Sequence, residues 1–362
     1  MRKTTDCTLN FVYAGLHNWQ EIITGADLDT SLDALAPYLL SGREVWVIQT
    51  FYVLRERGHS VVLSSSFRED CVNIVHADDI AGKELPFKYF IVSIRADKEP
   101  SFRAHNEIVQ NHYSIWRSTD IYIPHWPQPG LLPRDTERGG KLENIVFIGK
   151  KCHLADELQS SFFCKQLEKI GLKLRIQENN WWNYKDADIV LAVRRGYPFY
   201  RSIKPASKLV NAWNAGCPAI LGKESGYQEL MSDSLDYFEA SSAEQVLDCI
   251  QQLLNSETLH DEMIQHGLKR GKAFSVDAIA THWETALYGP ILDSFARWGG
   301  HARSTHISKN NNRLIKAKER IWGTQAMQFQ SSKFKELQAM IRRAMVLPRS
   351  AYSKIDKPVK PS

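Results

Sequence analysis

The sequence predicts an α/β protein built from two doubly wound, Rossmann-like domains that face a cleft. Its 362 residues suggest two domains at about 150 residues per domain. Short apolar segments alternate with helix-like segments along the chain, which is typical of parallel sheets with right-handed crossovers. A cluster of four prolines between Ile121 and Arg134 interrupts this alternation. Because proline fixes φ and removes a donor, the cluster predicts an irregular connection between the two domains.

Composition excludes several other classes of protein. The hydrophobic share of 43% and the charged share of 24% are typical of a soluble globular chain. No stretch approaches the roughly 18 apolar residues of a membrane-spanning helix, and no apolar segment follows the basic start as a secretory signal requires. The six cysteines are scattered without a Cys-x-x-Cys pair. This spacing predicts neither a disulfide framework nor a zinc site, so a cytoplasmic location is expected.

The net charge of +5 is unevenly distributed. Residues 301–362 contain 14 Lys and Arg against three acids, a charge of +11, which leaves −6 for residues 1–300. Within this basic, partly helical tail, residues 333–345 place apolar side chains on one helical face and basic side chains elsewhere. The pattern favours either peripheral binding to an anionic membrane surface or a solvated helix folded onto the body or onto a partner. Specific nucleic-acid binding is not expected, because no recognised motif accompanies the charge.

The first domain is predicted over residues 1–123. A capping-box pattern at Ser41 and Glu44 opens a helix that Gly58 ends. The apolar runs flanking this helix predict four strands: Leu9–Ala14, Ser60–Leu63, Asn73–Val75 and Tyr89–Ile94. Residues 124–141 form the proline-rich linker.

The second domain is predicted over residues 142–299, and the basic tail over 300–362. Apolar runs predict five strands: Ile145–Ile148, Leu172–Ile176, Ile189–Val193, Pro218–Leu221 and Leu235–Phe238. Helical periodicity predicts helices over Ala155–Ile170 and Ala206–Ala215, a helix capped at Ser241–Glu244, and two closing helices that end near Trp298.

A basic loop between two of these elements predicts a diphosphate site. Arg194 and Arg195 follow the strand Ile189–Val193, at the end of a parallel strand where such sheets bind ligands. The next helix begins near Pro205, and a helix N-terminus offers free N–H groups to an anion. Three more polar side chains lie at that end: Lys204, Ser207 and Lys208. The alternative is that these groups are ordinary surface charges.

A longer pattern resembles the donor-binding segment of GT-B-fold glycosyltransferases. Lys208-Leu209 opens the helix, and Ala215-Gly216-x-Pro218-x-Ile220 leads into the next strand, as in that family. The likeness covers residues 144–255 most closely. It implies a GT-B fold, a nucleotide diphosphate sugar as donor substrate, no required cofactor, and a saccharide or lipid-linked acceptor. It also implies that an acid in the loop 222–229, with Glu229 as the candidate, holds the donor ribose.

The chain departs from the family pattern at two positions. Retaining members carry two glutamates eight positions apart, and here Ile203 and Asn211 occupy those positions. The donor contacts of those glutamates therefore do not carry over. The turn after the first strand also has one glycine, Gly15, where a glycine-rich loop is expected.

Candidate catalytic residues follow strands of the first domain. His17 comes just after the first strand and Asp97 after the fourth, where a base could meet an acceptor hydroxyl. Asp78, Asp79 and Arg95 are further cleft candidates, and His125 of the linker could close the cleft. Asp186-Ala187-Asp188 has the letters of a metal motif but precedes its strand, so we predict a solvated turn and no metal site.

The sequence therefore predicts a metal-independent glycosyltransferase of the hexosyltransferase type, active in polysaccharide biosynthesis. Two alternatives remain open. One is a sugar-nucleotide epimerase on the same fold, which would require His17, Asp97 and Glu229 to converge on the sugar. The other is a non-catalytic protein that binds a membrane or polyanion through its tail.

Overall fold

The computed structural model describes residues 9–19, 32–39, 41–81, 83, 88–101, 103–196, 198–256 and 258–301. It confirms the predicted fold class, since the described chain forms two parallel sheets with helices between their strands. Most of the basic tail, including residues 333–345, lies outside the described residues. The membrane-binding hypothesis for that segment therefore stays a prediction.

The first sheet has six parallel strands in the order β2-β1-β3-β4-β5-β6. They are β1 (Leu9–Val12), β2 (Val61–Ser64), β3 (Val72–His76), β4 (Phe90–Ile94), β5 (Asn106–Val109) and β6 (Asp120–Tyr122). The sequence predicted the first four. It missed β5 and β6 because Glu107 and Asp120 interrupt the apolar pattern. Both are buried against Arg117, which lies 3.3 Å from Glu107 and 2.8 Å from Asp120.

The helix predicted from Ser41 is a continuous helical run. It comprises Gly42–Glu44, a π-helical turn at Val45–Gln49, and α1 (Thr50–Glu56). The capping box is present, with the Ser41 N–H donating to Glu44 Oε2 over 2.6 Å. Shorter helical segments of this half are Leu32–Leu35 and Ala77–Ile80.

The second sheet has five parallel strands in the order β11-β10-β9-β7-β8. They are β7 (Asn144–Ile148), β8 (Lys173–Gln177), β9 (Ile189–Ala192), β10 (Ala219–Leu221) and β11 (Phe238–Glu239). The main helices are α2 (Ser161–Lys169), α3 (Ser207–Ala215), α4 (Ala243–Asn255) and α5 (Leu259–Gly271), with short helices at Pro198–Ser202 and Ser225–Gln228. Helix α2 begins later than predicted because the Ser160 hydroxyl caps it, accepting from Phe163 N–H over 3.1 Å.

The proline-rich connection is irregular, but it contacts residues of both halves of the molecule. The buried Trp126 donates its indole N–H to Thr50 Oγ1 over 2.9 Å in the first half. On the other side, Leu132 N–H donates to Trp182 O over 2.8 Å, and Arg134 N–H donates to Ala215 O over 2.9 Å. The connection therefore has fixed contacts with both halves.

The prediction of a solvated turn at residues 186–188 is wrong for Asp188. This carboxylate is fully buried, pairs with Arg134 over 2.9 Å and Arg138 over 2.7 Å, and accepts N–H bonds from Glu143 and Asn144. Burial alone would raise the pKa of Asp188, but these donors outweigh it and lower the pKa. Asp188 thus anchors the end of the linker to the second sheet.

The last helices return to the first domain. They are α6 (Val276–Ala286), a π-helical turn at Leu287–Ile291, and α7 (Leu292–His301). Trp283 is fully buried, with its ring 6.4 Å from both Phe11 and Trp46. Glu284 pairs with Arg57 over 2.7 Å. The closing helices of the 142–299 segment therefore pack against the first sheet's helices and fasten the two halves together.

Candidate functional site

A cleft of about 520 Å³ lies between the two halves, beyond the carboxyl ends of β4, β7 and β9. Its first-domain side includes Ser41, Gly42 and Asp97, and the linker contributes His125 and Gln128. The second-domain side carries most of the charge: Lys150, Arg194, Arg195, Lys204 and Lys208. Because parallel strands end together at this edge, the fold brings loops distant in sequence to one cavity.

Lys208 lies in the first turn of α3 and reaches the end of β7. Its Nζ donates to the carbonyl oxygen of Ile148, and its ammonium lies 5.3 Å from the centre of the Phe147 ring. Burial and the neighbouring charge of Arg194 lower the pKa of Lys208 to about 7. Gly149, with φ of +148°, makes room, since a Cβ there would lie 3.3 Å from the Lys208 Nζ. The fold therefore brings the Lys208 amine to the cleft although the surroundings disfavour its charged form.

Arg194 is held beside Lys208 by a buried carboxylate. Arg194 Nη1 lies 3.1 Å from Glu224 Oε2, and Glu224 is 1% exposed. Burial raises the pKa of Glu224, while Arg194 and the two lysines Lys204 and Lys208 oppose that rise. One carboxylate thus faces several cations, and the local charge remains positive.

Lys204 connects the two sides of the cleft. Its Nζ forms an ion pair with Asp97 Oδ2 of the first domain. Its backbone carbonyl also accepts from the Asn111 side-chain amide of that domain over 3.1 Å. Burial alone would raise the pKa of Asp97, but the pair with Lys204 outweighs it and holds the pKa below its ordinary value.

The turn that carries Asp97 is fastened from beneath by Arg95. This guanidinium is 1% exposed, donates to Lys98 O over 3.1 Å and to Ser114 O over 2.9 Å, and stacks 4.2 Å above Trp116. Between Arg95 and Asp97, Ala96 adopts a left-handed φ of +50°. Non-glycine residues adopt this conformation at a cost and often near functional sites, so the turn holds Asp97 in a defined position.

The N-terminus of α3 opens toward the same cavity. Its N-cap residue, Ala206, provides no side-chain hydrogen bond to the first turn, and both Pro205 and Ser207 line the cleft. The N–H groups of this turn are therefore available to an anion, and the helix dipole adds positive potential.

Gly226 supports this loop through close packing. A Cβ at Gly226 would lie 2.6 Å from the carbonyl oxygen of Lys204 and 3.1 Å from Ala206 N. Since these are backbone atoms, we expect Gly226→Ala to displace the 204–206 loop and to lower the free energy of unfolding by about 1–3 kcal/mol. Chemical denaturation of both proteins measures this loss. Gly140→Ala is the matched control, because a Cβ at Gly140 meets nothing within 4 Å. Equal stability of the two variants would contradict the packing argument.

The structure brings together most of the predicted donor residues, but not all of the predicted site. Arg194, Lys204, Ser207, Lys208 and Asp97 all line the cleft. Arg195 also reaches its rim, although it is 62% exposed and pairs with Asp156 over 3.1 Å.

Two predicted residues lie elsewhere. His17 is exposed in the turn Leu16–Asn18, because Leu16 and Trp19 on either side pack into the core. Glu229 does not line the cleft, since its Oε2 accepts the His112 N–H over 2.7 Å. Among the residues that the structure describes, the cleft thus contains neither the proposed histidine base nor the proposed ribose ligand.

The sequence missed two residues that line the cleft, Gly149 and His153, and one buried acid beside it, Glu224. Glu224 was passed over in favour of Glu229, although it is the acid that contacts Arg194. Gly149 gave only the signal of a strand end. His153 lines the cleft, and burial together with Lys204 and Arg194 lowers its pKa.

His125 of the linker, which the sequence offered as a residue that could close the cleft, lies in the cleft lining. Its Nδ1 lies 2.5 Å from Trp126 O, which fixes Nδ1 as the donor.

Within the described residues, two further kinds of feature are absent. No group of three or more His, Cys, Asp or Glu side chains there is arranged to hold a metal ion. Within the same residues, no helix combines the length and apolar character needed to cross a membrane.

No protein-family model matches the chain, and no curated protein matches its sequence. Solved structures do match. Sucrose-phosphate synthase from Thermosynechococcus elongatus matches at 11% identity with a TM-score of 0.49, over 80% of this chain and 99% of that one. AviGT4, a glycosyltransferase involved in avilamycin A biosynthesis, matches at 13% identity with a TM-score of 0.48, over 79% of this chain and 98% of that one. Anabaena HepE, in complex with UDP and glucose, matches at 11% identity with a TM-score of 0.44, over 78% of this chain and 99% of that one.

The chain spans 54%, 58% and 60% of three other matched chains, in the accessory secretory protein complex of Streptococcus pneumoniae, TarM and the GtfA/B complex. Likenesses this distant concern the fold alone. The GT-B-like arrangement rests on the chain's own topology, with two Rossmann-like parallel sheets on either side of a cleft.

Proposed function

We propose that the protein is a glycosyltransferase that moves a sugar from a nucleotide diphosphate sugar to a saccharide or lipid-linked acceptor. One observation carries the proposal. Arg194, Lys204 and Lys208 converge with the open N-terminus of α3 in a single interdomain cleft. The guanidinium of Arg194, the amines of Lys204 and Lys208 and the backbone N–H groups of α3 together suit the two phosphates of a donor diphosphate.

The same groups would assist the chemical step. In sugar transfer, the acceptor oxygen bonds to the anomeric carbon and gives up its hydroxyl proton, for which Asp97 is the candidate base. The bond to the diphosphate oxygen breaks, and its electron pair leaves on the diphosphate. Fixed positive charge next to that oxygen stabilises the developing negative charge without a metal ion. The acceptor would approach from the first-domain side, where Asp97 faces the cleft.

The two alternative functions receive less support. The epimerase alternative required His17, Asp97 and Glu229 to converge on the sugar, and of these three only Asp97 lines the cleft. A non-catalytic polyanion-binding protein would not need a lysine placed where its charged form is disfavoured, as Lys208 is. The proposal therefore keeps peripheral membrane binding by residues 333–345 only as an accessory to an enzyme with a lipid-linked acceptor.

The direct test is binding of nucleoside diphosphates. We expect one of UDP, GDP, CDP and dTDP to raise the melting temperature of the full chain and to bind in calorimetry, because a ligand that binds the folded state stabilises it. The same nucleotide should leave the melting temperature of Lys208→Met nearly unchanged. No stabilisation of the wild-type chain by any of the four would overturn the proposal.

Donor affinity should depend on pH through Lys208. With a pKa of about 7, this amine is charged below pH 7 and loses its proton as the pH rises above 7. We therefore expect the affinity for the matching nucleotide sugar, whose phosphates do not titrate in this range, to fall several-fold from pH 6 to pH 8.5. Calorimetry at both pH values measures it. Lys208→Arg is the control, since arginine stays charged; an equal fall in that variant would exclude Lys208 as the cause.

A further inference from the structure

The ion pair between Lys204 and Asp97 points to a link between the two substrate sites. It joins the loop before α3, where the proposed diphosphate site lies, to the turn after β4 on the acceptor side. The two side chains are 28% and 34% exposed and both line the cleft, so the pair is accessible from the cavity.

The backbones on both sides of the pair are fixed. The Asp97 turn is held by the buried Arg95 and by Ala96 in its left-handed conformation. The Lys204 backbone is held by Asn111, which donates to the carbonyl oxygens of Ser202 and Lys204 over 3.1 Å each. Only the Lys204 side chain, with its four flexible methylenes, is free to change partner without moving either loop.

A donor diphosphate bound at this site would compete with Asp97 for Lys204. Ser207 and Lys208 follow Lys204 by three and four residues and line the same cavity. A diphosphate bound to the α3 N-terminus would carry more charge than one carboxylate and would lie within reach of a flexible lysine.

We propose that Lys204 exchanges Asp97 for the donor diphosphate when the donor binds, which frees the Asp97 carboxylate to accept a hydrogen bond from the acceptor hydroxyl. This inference rests on the proposed function. It makes Lys204 a residue shared by the two substrates and makes binding ordered, with the donor first. Asp97 is engaged before the donor arrives and available afterwards.

The exchange is tested first by a crystal structure of the full wild-type chain with inorganic pyrophosphate. We expect Lys204 Nζ within hydrogen-bond distance of a phosphate oxygen and no longer in contact with Asp97. Bound pyrophosphate with Lys204 still paired to Asp97 would overturn the exchange while leaving the donor site intact. Failure of pyrophosphate and of all four nucleoside diphosphates to bind would overturn both proposals.

A solution measurement gives an independent result. Carboxyl-carbon NMR of the full chain, with the Asp97 signal assigned by its loss in Asp97→Asn, reports the Asp97 pKa with and without pyrophosphate. We expect pyrophosphate to raise this pKa more in the wild type than in Lys204→Gln, because only the wild type has a lysine partner to lose. A rise that is equal or smaller in the wild type would contradict the exchange.

Discussion

Replacing Lys208 by methionine should weaken nucleoside diphosphate binding at pH 6 by about 100-fold, because at that pH it removes a charged, desolvated donor from the anion site. Lys208 lies in the open first turn of α3, and its side chain contacts the end of β7. Titration calorimetry of wild type and Lys208→Met, with the nucleotide chosen by the thermal-shift panel, measures the change.

The same substitution should leave the fold intact. The lowered pKa of Lys208 shows that burial disfavours its charge, so a methionine of similar length removes an electrostatic cost. We therefore expect Lys208→Met to be at least as stable as the wild type in chemical denaturation. Lys223→Ala is the matched control, because Lys223 is 62% exposed and does not line the cleft. A loss of binding below threefold in Lys208→Met, or an equal loss in Lys223→Ala, would contradict the assigned role.

Replacing Asp188 by alanine should destabilise the protein by about 3–5 kcal/mol, because it leaves buried positive charge without its partner. Arg134 and Arg138 both pair with this carboxylate, and two backbone N–H groups donate to it. Denaturation by urea at pH 7 measures the loss. Asp186→Ala is the control, since Asp186 is 61% exposed and its pair with Arg175 is open to solvent, so a change within about 0.5 kcal/mol is expected.

The contribution of Asp188 should also depend on pH, with a definite sign. Its pKa is lower in the folded state than in the unfolded chain. The stabilisation is therefore complete above the ordinary aspartate pKa of about 4 and is lost as the pH falls through the folded-state value. The stability difference between wild type and Asp188→Asn should shrink on acidification below pH 4. A difference that stays constant down to pH 2 would show that the carboxylate is not the titrating group.

The fold was predictable because its strands are short, apolar and buried. β1, β3, β4, β7, β9 and β10 each appear in the sequence as an apolar run next to a helix-ending glycine or a turn. The features that the sequence did not predict depend on ion pairs between residues that are distant in sequence. Glu107 lies in a central strand because Arg95 and Arg117 neutralise it, and Asp188 is buried because the linker supplies two arginines. A local sequence pattern does not show which distant arginine will pair with a buried acid.

The candidate site divides in the same way. Lys204, Ser207 and Lys208 were predictable because a helix N-terminus after a parallel strand has a fixed chemical character. Glu224 and Glu229 could not be ranked from sequence, since both follow β10 and only the turn of the short helix Ser225–Gln228 decides which one meets Arg194. The structure places His17 outside the cleft for a similar reason, because the packing of its neighbours, rather than its distance from the strand, determines its position.

Phosphorus NMR of nucleotide sugars mixed with the full chain tests the central claim most directly. The wild-type protein should cleave the nucleotide sugar that carries the nucleotide selected in the binding panel, releasing free nucleoside diphosphate and transferring the sugar to water or to an added saccharide. Lys223→Ala should retain that conversion, and Lys208→Met should lose it. If the folded wild-type chain binds the nucleotide sugar and leaves it intact with every acceptor offered, the cleft binds a diphosphate but the protein is not a glycosyltransferase.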